Sequence, residues 1–329
     1  MAFSLTRKAL LRRLSDGHFH SGQSLSELLG VSRTAVWTAI RELEGLGLEV
    51  HAVRGRGYRL AYPLELLDRA VIEAQLTQSA RASLASIEIL DELESTNTRL
   101  MSLPPAEKVS GLACVAEYQT AGRGRIGRQW VSPFGGNICL SVLWQFTDQR
   151  LVAGLSLAVG VAVMRALQGV GVRGAQLKWP NDVLWQGRKL GGILLEVTGE
   201  AHGVYDVVLG IGINVALGQA QTAAIDQPWA ELREILPAPV PRNRLVANIL
   251  EALVDVLCAH ERGGLARHID EWRSYHGDDG KAAHLYQGTR QIAGIVAGVT
   301  DDGLLLLDTE SEGLRAFASG DLRLRVVRD

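Results

Sequence analysis

Residues 112–130 read LACVAEYQTAGRGRIGRQW, which joins an apolar run of strand length to a loop with three glycines and three arginines. The run predicts a buried strand over 112–118. The glycines match G-x-G-x-x-G, but the following VSPFGG at 131–136 cannot open a helix, so a dinucleotide-binding fold is not predicted. A phosphate-binding P-loop is excluded as well, because Arg128 and Gln129 stand where that loop requires Lys and Ser or Thr.

The glycines and arginines of this loop instead predict an anion-binding site. Glycines let the backbone approach a ligand closely, and guanidinium groups offer forked donors to phosphate or carboxylate. An exposed basic loop that binds nucleic acid is the alternative.

A second loop, KWPND at 178–182, has matching chemistry. Lys178 and the later Lys189 are cations for phosphate or carboxylate, and Asn181 and Asp182 supply oxygens suited to Mg²⁺ or a ribose. A lone WPND is also compatible with a simple turn, but a second loop of matching chemistry favours a binding site.

The first 62 residues form a basic module. They contain nine Lys or Arg against five Asp or Glu, a net +4 in a chain whose total is −2. A short amphipathic segment at 24–29, a break at Gly30 and a second helix capped by Ser32 follow the pattern of a helix-turn-helix. The predicted outward-facing readers of a DNA major groove are Arg33, Thr34, Trp37, Thr38 and Arg41.

A glycine-rich hairpin follows the second helix. Residues 48–53 alternate between apolar and polar side chains as in a strand, and residues 58–60 can form a second, antiparallel strand. The turn between them, RGRG at 54–57, places Arg54 and Arg56 at the tip of the hairpin. This is typical of a wing that touches DNA phosphates. The alternative is a winged helix that contacts protein.

The rest of the chain predicts an α+β protein. After a connecting helix at 64–76, the chain alternates strands at 112–118, 137–144, 176–179, 190–198 and 204–213 with helices at 151–167 and 244–260. Short strands at 281–286, 291–299, 304–307 and 322–327 then predict a small SH3-like β-barrel. We expect a winged helix-turn-helix at 1–62, a central domain with a sheet and packed helices at 63–276, and the β domain at 277–329.

Composition limits the cellular setting. The 329 residues are 47% hydrophobic and 21% charged, as in globular proteins of two or three domains. The three cysteines lie far apart without metal-ligand spacing, which predicts neither disulfides nor zinc and fits a reducing cytoplasm. The longest apolar run, 151–164, is too short to span a bilayer, and no secretory signal is expected, so we predict no membrane partner.

The two loops together resemble those of the biotin protein ligases. GRGRxGRxW and KWPND occur in that family's order, with DELESTN at 91–97 before them and GIGIN at 210–214 after. The resemblance covers nearly the whole chain, because the winged helix and the C-terminal β domain look like those of the bifunctional bacterial ligase and biotin operon repressor.

This resemblance implies an ATP-dependent ligase that forms biotinyl-5′-AMP and transfers biotin to a lysine of the biotin carboxyl carrier protein of acetyl-CoA carboxylase. Its substrates and cofactors would be biotin, ATP and Mg²⁺. It also implies repression of biotin synthesis genes through operator DNA, with a homodimer formed when biotinyl-AMP is bound. The alternatives are a ligase whose DNA-binding domain is uncoupled from biotin, and a lipoate-type protein ligase.

The resemblance also implies roles for individual residues. Biotin would contact Ser95, Thr96, Asn97, Gln119, Arg123, Gly124, Arg125 and Lys189. ATP and the adenylate would contact Arg125, Arg128, Lys178, Asn181, Asp182, Asn214, Trp229 and Arg325. Catalysis would depend on Arg125, Lys178 and Lys189, DNA binding on Arg33, Thr34, Trp37, Thr38, Arg54 and Arg56, and Mg²⁺ binding on Asp182.

Overall fold

The N-terminal module consists of three helices and a two-stranded hairpin. The computed structural model describes residues 5–199, 203–218, 222–223, 225–320 and 322–327. The elements of the module are α1 Leu5–Leu14, α2 Gly22–Leu29, α3 Arg33–Gly45, β1 Val50–Val53 and β2 Gly57–Leu60.

Helix α1 was not predicted, whereas the helix-turn-helix and the hairpin were. The Ser32 hydroxyl accepts a hydrogen bond from the backbone N–H of Ala35 and caps α3. Gly30 ends α2 in the left-handed conformation, with φ of 63°.

The centre of the protein is a seven-stranded mixed sheet of order β3-β4-β5-β9-β8-β7-β6. Only the β3–β4 pair is parallel among the paired strands of this sheet that the structure describes. The strands are β3 Ser86–Leu90, β4 Leu112–Ala116, β5 Asn137–Phe146, β6 Ala175–Lys178, β7 Asp182–Trp185, β8 Arg188–Gly199 and β9 Tyr205–Asn214. The helices are α4 Arg69–Gln75, α5 Gln78–Ser83, α6 Thr96–Met101, α7 Leu155–Gly169, α8 Leu232–Ile235, α9 Arg242–Gly263 and α10 Ile269–Tyr275.

Two predicted helices begin later in the structure than the sequence predicted. The helix predicted at 151–167 begins at Leu155, because Gly154 has a φ of 70° and separates it from a 3₁₀ turn at Gln149–Val152. The connecting helix predicted at 64–76 is shorter in the structure and corresponds to α4. The Asp68 carboxylate accepts hydrogen bonds from the backbone N–H groups of Ala70 and Val71, and this cap fixes the N-terminus of the helix.

The C-terminal sheet has five antiparallel strands in the order β13-β12-β11-β10-β14. They are β10 Ala282–Gln287, β11 Arg290–Val299, β12 Leu305–Thr309, β13 Gly313–Phe317 and β14 Leu322–Val326. Strand pairing among the described residues leaves β13 and β14 at the two ends of this order, so closure into a barrel stays a prediction, as do the exact domain boundaries. The α+β class is confirmed.

The C-terminal sheet packs against the central domain. Trp179 lies in the main hydrophobic core and its Nε1 donates a hydrogen bond to the carbonyl oxygen of Gly303 at 3.0 Å. None of the helices that the structure describes combines the length and apolar character needed to cross a membrane.

Candidate functional site

A cavity of about 1260 Å³ lies where the central sheet meets the C-terminal sheet. Its walls include all fifteen residues predicted to bind biotin, ATP or the adenylate. These are Ser95, Thr96, Asn97, Gln119, Arg123, Gly124, Arg125, Arg128, Lys178, Asn181, Asp182, Lys189, Asn214, Trp229 and Arg325. The cationic side chains of the two loops are therefore brought to the same cavity, although their roles toward a ligand remain predictions.

One end of the cavity is a buried network of amide and hydroxyl groups at the start of α6. The backbone N–H and the hydroxyl of Thr96 donate to Gln119 Oε1 at 2.8 and 3.2 Å. Ser141 Oγ lies 2.7 Å from Thr96 Oγ1 and 2.6 Å from Asn97 Oδ1. These groups fix one another's positions, so this end is preorganised for a polar ligand group.

Glycines on β9 give this end its shape. A Cβ atom at Gly210 would lie 2.2 Å from Asn97 Oδ1, and one at Gly212 would lie 2.6 Å from the ring of Trp130. Both side chains can approach the sheet only because these positions lack a Cβ atom. This explains the glycines in the GIGIN motif.

The middle of the cavity is cationic. Arg123 forms an ion pair with Glu196 at 2.9 Å, and Glu196 also accepts a hydrogen bond from Asn97 Nδ2 at 2.9 Å. Lys189 forms an ion pair with Asp182 at 2.6 Å. The two pairs hold a guanidinium and an ammonium group in place at the cavity wall.

Arg125 connects three parts of the site. Its Nη1 donates to Asn181 Oδ1 at 2.9 Å, and its Nη2 donates to the carbonyl oxygens of Ser319 and Gly320 at 2.8 and 2.6 Å. It therefore joins the glycine–arginine loop to the KWPND loop and to the segment before β14. Arg128 is placed nearer the rim, 4.0 Å from the exposed Asp226.

Trp229 reaches the cavity through backbone pairing with β8. Lys189 N–H donates to the Pro228 carbonyl at 3.0 Å, and Ala230 N–H donates to the Lys189 carbonyl at 2.9 Å. Asn214 Nδ2 donates to the carbonyl oxygens of both Lys189 and Ala230, at 3.2 and 3.0 Å. Asn214 thus holds the segment that presents Trp229.

Some lining residues were missed by sequence reasoning. Trp130 ends the GRGRxGRxW motif, and the sequence assigned it no role. The centroid of its ring lies 5.9 Å from Lys189 Nζ. Cys139 lies in the wall, where burial raises the pKa of its thiol to about 11 and keeps it uncharged. Lys281 and Arg323 also line the cavity. Alternation along β14 is the available signal, because it places Arg323 and Arg325 on the face of the strand opposite the core residues Leu322 and Leu324.

The predicted DNA-binding residues lie apart from the cavity. Arg33, Thr34, Trp37, Thr38 and Arg41 are all exposed on α3, and Arg54 and Arg56 are exposed at the hairpin tip. The Arg56 guanidinium lies 4.2 Å from the centroid of the Phe19 ring, a cation–π contact that holds it in position. This surface has the charge and the exposed helix that a DNA interface requires.

Comparisons with known proteins agree with this division. The family model described as the biotin/lipoate A/B protein ligase family matches residues 90–214, that of an HTH domain matches 6–59, and that of the biotin protein ligase C terminal domain matches 283–325. The chain is 37% identical over 318 residues to the bifunctional ligase/repressor BirA of Escherichia coli, covering 96% of each protein. It is 33% identical over 333 residues to the BirA of Bacillus subtilis, covering 98% of this chain and 99% of that protein.

Solved structures show the same similarity. The biotin protein ligase from Aquifex aeolicus in complex with biotin and ATP superposes with a TM-score of 0.64 at 28% identity. The match covers 74% of this chain and all of that chain.

Proposed function

From the premise that this chain belongs to the biotin protein ligase family, we propose how its cavity and its basic module act. The protein is an ATP-dependent biotin protein ligase and a DNA-binding repressor. The observation that carries the assignment of residues is the cavity itself, in which two cation-rich loops and a preorganised polar network meet.

In the first reaction, a carboxylate oxygen of biotin attacks the α-phosphorus of ATP. The bond from that phosphorus to the bridging oxygen of the β-phosphate breaks, and pyrophosphate leaves with the electron pair. Both reactants are anions, so their approach is opposed by charge repulsion unless fixed cations stand beside them. Arg123, Arg125, Lys178 and Lys189 supply those cations.

The ion pairs of the cavity suggest how these cations are held ready. Glu196 and Asp182 hold Arg123 and Lys189 at the wall, so little reorganisation is needed when a ligand arrives. Arg125 is fixed through Asn181 and the 319–320 carbonyls. We assign Arg123, Arg125 and Lys189 to the carboxylate and the α-phosphate, and Lys178, Asn181 and Asn214 to the nucleotide.

In the second reaction, the amine of an acceptor lysine attacks the carbonyl carbon of biotinyl-5′-AMP. An amide bond forms, the carbon–oxygen bond to AMP breaks, and the amine loses a proton. The mixed anhydride is already activated, so no enzyme nucleophile is required. The uncharged thiol of Cys139 is consistent with this reading.

We place Mg²⁺ beside Asp182. Mg²⁺ in nucleotide sites is held by one or two carboxylates together with substrate phosphates, and Asp182, whose Oδ1 pairs with Lys189, would supply its other carboxylate oxygen to that donor set. The ion would neutralise phosphate charge when ATP is bound. No cluster of three or more His, Cys, Asp or Glu among the described residues offers a complete protein cage instead.

We further propose the partners of each activity. The acceptor is a biotin carboxyl carrier domain, and the DNA is the operator of biotin synthesis genes, bound by a homodimer that biotinyl-5′-AMP promotes. Analytical ultracentrifugation with and without biotin and ATP tests the last point. Unchanged self-association would instead indicate a ligase whose DNA-binding module is not coupled to the adenylate.

The decisive test of the ligase site is biotin-dependent ATP–pyrophosphate exchange. We expect Arg125→Ala and Lys189→Ala each to lower exchange about 100-fold, since each removes a fixed charge from the reacting phosphate. Arg290→Ala, a surface change in the C-terminal sheet, is the matched control. Exchange that persists undiminished in both cavity variants contradicts the assignment, and incorporation of labelled lipoate rather than biotin into an acceptor domain would identify a lipoate-type ligase.

A further inference from the structure

Arg323 lies in the cavity wall and its side chain forms no ion pair with any residue that the structure describes. Arg123, Lys189 and Lys281 each face a carboxylate, the last at 3.4 Å from Asp278. The side chain of Arg323 has no hydrogen bond, ion pair or aromatic contact with any residue that the structure describes, and it is only partly exposed. A half-buried, unneutralised guanidinium is costly unless an anion binds to it.

Arg323 lies on β14, all of whose residues, Leu322–Val326, line the cavity. Leu322 and Leu324 are buried in the hydrophobic core, so Arg323 and Arg325 project together from the opposite face of β14. Both line the cavity. The Arg325 guanidinium lies 5.7 Å from the centroid of the Tyr286 ring, and Tyr286 is the cross-strand partner of Arg323. Two like charges on one face of a strand repel, which a shared anion would relieve.

The hydrogen bonds of Arg125 show where β14 lies relative to the proposed reaction centre. This arginine donates to the carbonyl oxygens of Ser319 and Gly320, immediately before the strand, while its other terminal nitrogen donates to Asn181. The start of β14 therefore borders the same guanidinium that we assign to the α-phosphate. In ATP the β- and γ-phosphates follow the α-phosphate and carry most of the charge of the nucleotide. They are therefore the anionic groups that Arg323 can contact next to the α-phosphate.

We propose that Arg323 binds the β- and γ-phosphates of ATP and the departing pyrophosphate. This inference rests on the proposed ligase function and adds a residue to it. In the first reaction the bridging oxygen gains the electron pair of the broken bond, and Arg323 is placed to stabilise that growing charge. Arg323 has no role in the second reaction, in which pyrophosphate is absent.

The two half-reactions separate this role from a structural one. We expect Arg323→Ala to raise the KM for ATP and for pyrophosphate in the exchange reaction about tenfold, as for loss of one charge-assisted hydrogen bond. Transfer of biotin from supplied biotinyl-5′-AMP to an acceptor domain should stay within twofold of the wild type. Arg323→Lys should recover part of the loss, because it restores the charge without the forked donors.

Arg290→Ala is again the matched control, since it removes an arginine from the same sheet outside the cavity wall. KM values for Arg323→Ala within twofold of those for Arg290→Ala overturn the inference, as does an equal loss in both half-reactions. Wild-type protein without any biotin-dependent exchange overturns the proposed ligase function, and the inference with it.

Discussion

Phe134 donates its backbone N–H to the carbonyl oxygen of Leu46 at 3.1 Å, where Leu46 is the C-cap residue of helix α3. The Phe134 side chain is buried within the hydrophobic core of the N-terminal module. Trp130, four residues earlier, lies against Gly212 in the cavity wall. One short segment thus begins in the ligand cavity and ends in the core of the DNA-binding module.

A second contact joins the same two parts. Lys8 Nζ, on α1, lies 3.0 and 3.1 Å from the carboxylate oxygens of Asp91, which opens the segment leading to Ser95. The DNA-binding module is therefore attached to two segments that lead into the cavity wall, one at Trp130 and one at Ser95. Its position depends on contacts outside its own sequence.

Phe134→Ala should loosen the N-terminal module. Replacing a buried phenylalanine by alanine costs about 3–5 kcal/mol through lost burial and the cavity left behind. We expect residues 1–62 to become sensitive to limited proteolysis at temperatures where the wild type resists cleavage. Phe146→Ala, in the core of the central domain, is the control and should expose the central domain instead. Equal protection of 1–62 in the wild type and in Phe134→Ala would contradict this reading.

The buried ion pair of Glu117 and Arg242 fixes the segment that connects the N-terminal module to the central domain. Their charged atoms lie 2.7 Å apart, and both side chains are almost fully buried. Glu117 also accepts a hydrogen bond from the backbone N–H of Leu67, while Arg242 donates to the carbonyl oxygens of Glu65 and Asn137. The pair therefore fixes the connecting segment against β4 and β5.

Single replacements in this pair should be more damaging than the double one. Glu117→Leu or Arg242→Met each leaves a buried charge without a partner, with an expected loss of about 3–5 kcal/mol in the free energy of unfolding. The double variant removes both charges and should lose clearly less than the sum. Urea unfolding of the four proteins measures the coupling. Additive losses would show that the two side chains act independently.

The polar residues that line the cavity were predictable where they cluster in short motifs. The sequences at 95–97, 122–130 and 178–182 each bring several polar groups to one place through local backbone geometry. The sheet order and the C-terminal sheet bring these motifs to one cavity, which no single motif indicates by itself.

Residues whose role depends on distant partners were not predictable. Phe134 reads as part of a Pro/Gly-rich turn, and nothing local indicates that its ring belongs to the core of another module. Arg242 lies in an arginine-rich helix start that reads as solvent-exposed, yet it is buried because Glu117 neutralises it. Helix α1 was missed because its apolar residues Leu10, Leu11 and Leu14 were judged only against the pattern of a secretory signal.

Acid should destabilise the protein through two stacked histidines. The rings of His260 and His268 lie 5.8 Å apart, and burial lowers the pKa of both below the ordinary value of 6.5. Between the lowered pKa and 6.5 the unfolded chain binds more protons than the folded one. Stability is therefore complete above pH 6.5 and falls as the pH is lowered toward the folded-state pKa.

His268→Phe should reduce this sensitivity, since phenylalanine stacks without titrating. We expect the fall in Tm between pH 6.5 and 5 to be smaller in the variant than in the wild type. Thermal unfolding followed at several pH values measures the two slopes. If Tm depends on pH equally in the two proteins, protonation of His268 does not cause the loss of stability in acid.

Arg56 should contribute to DNA affinity through a phosphate and not through a base. It lies at the exposed hairpin tip, and its stacking on Phe19 holds the guanidinium in place without an acidic partner among the described residues. Each phosphate contact adds about 0.9 to the slope of log affinity against log salt, so Arg56→Ala should lower that slope by about one. The affinity should fall to a similar extent on operator and on unrelated DNA, whereas Arg290→Ala should leave both unchanged. Fluorescence anisotropy across a salt series measures these slopes, and a loss confined to the operator at an unchanged slope would mean that Arg56 reads bases instead.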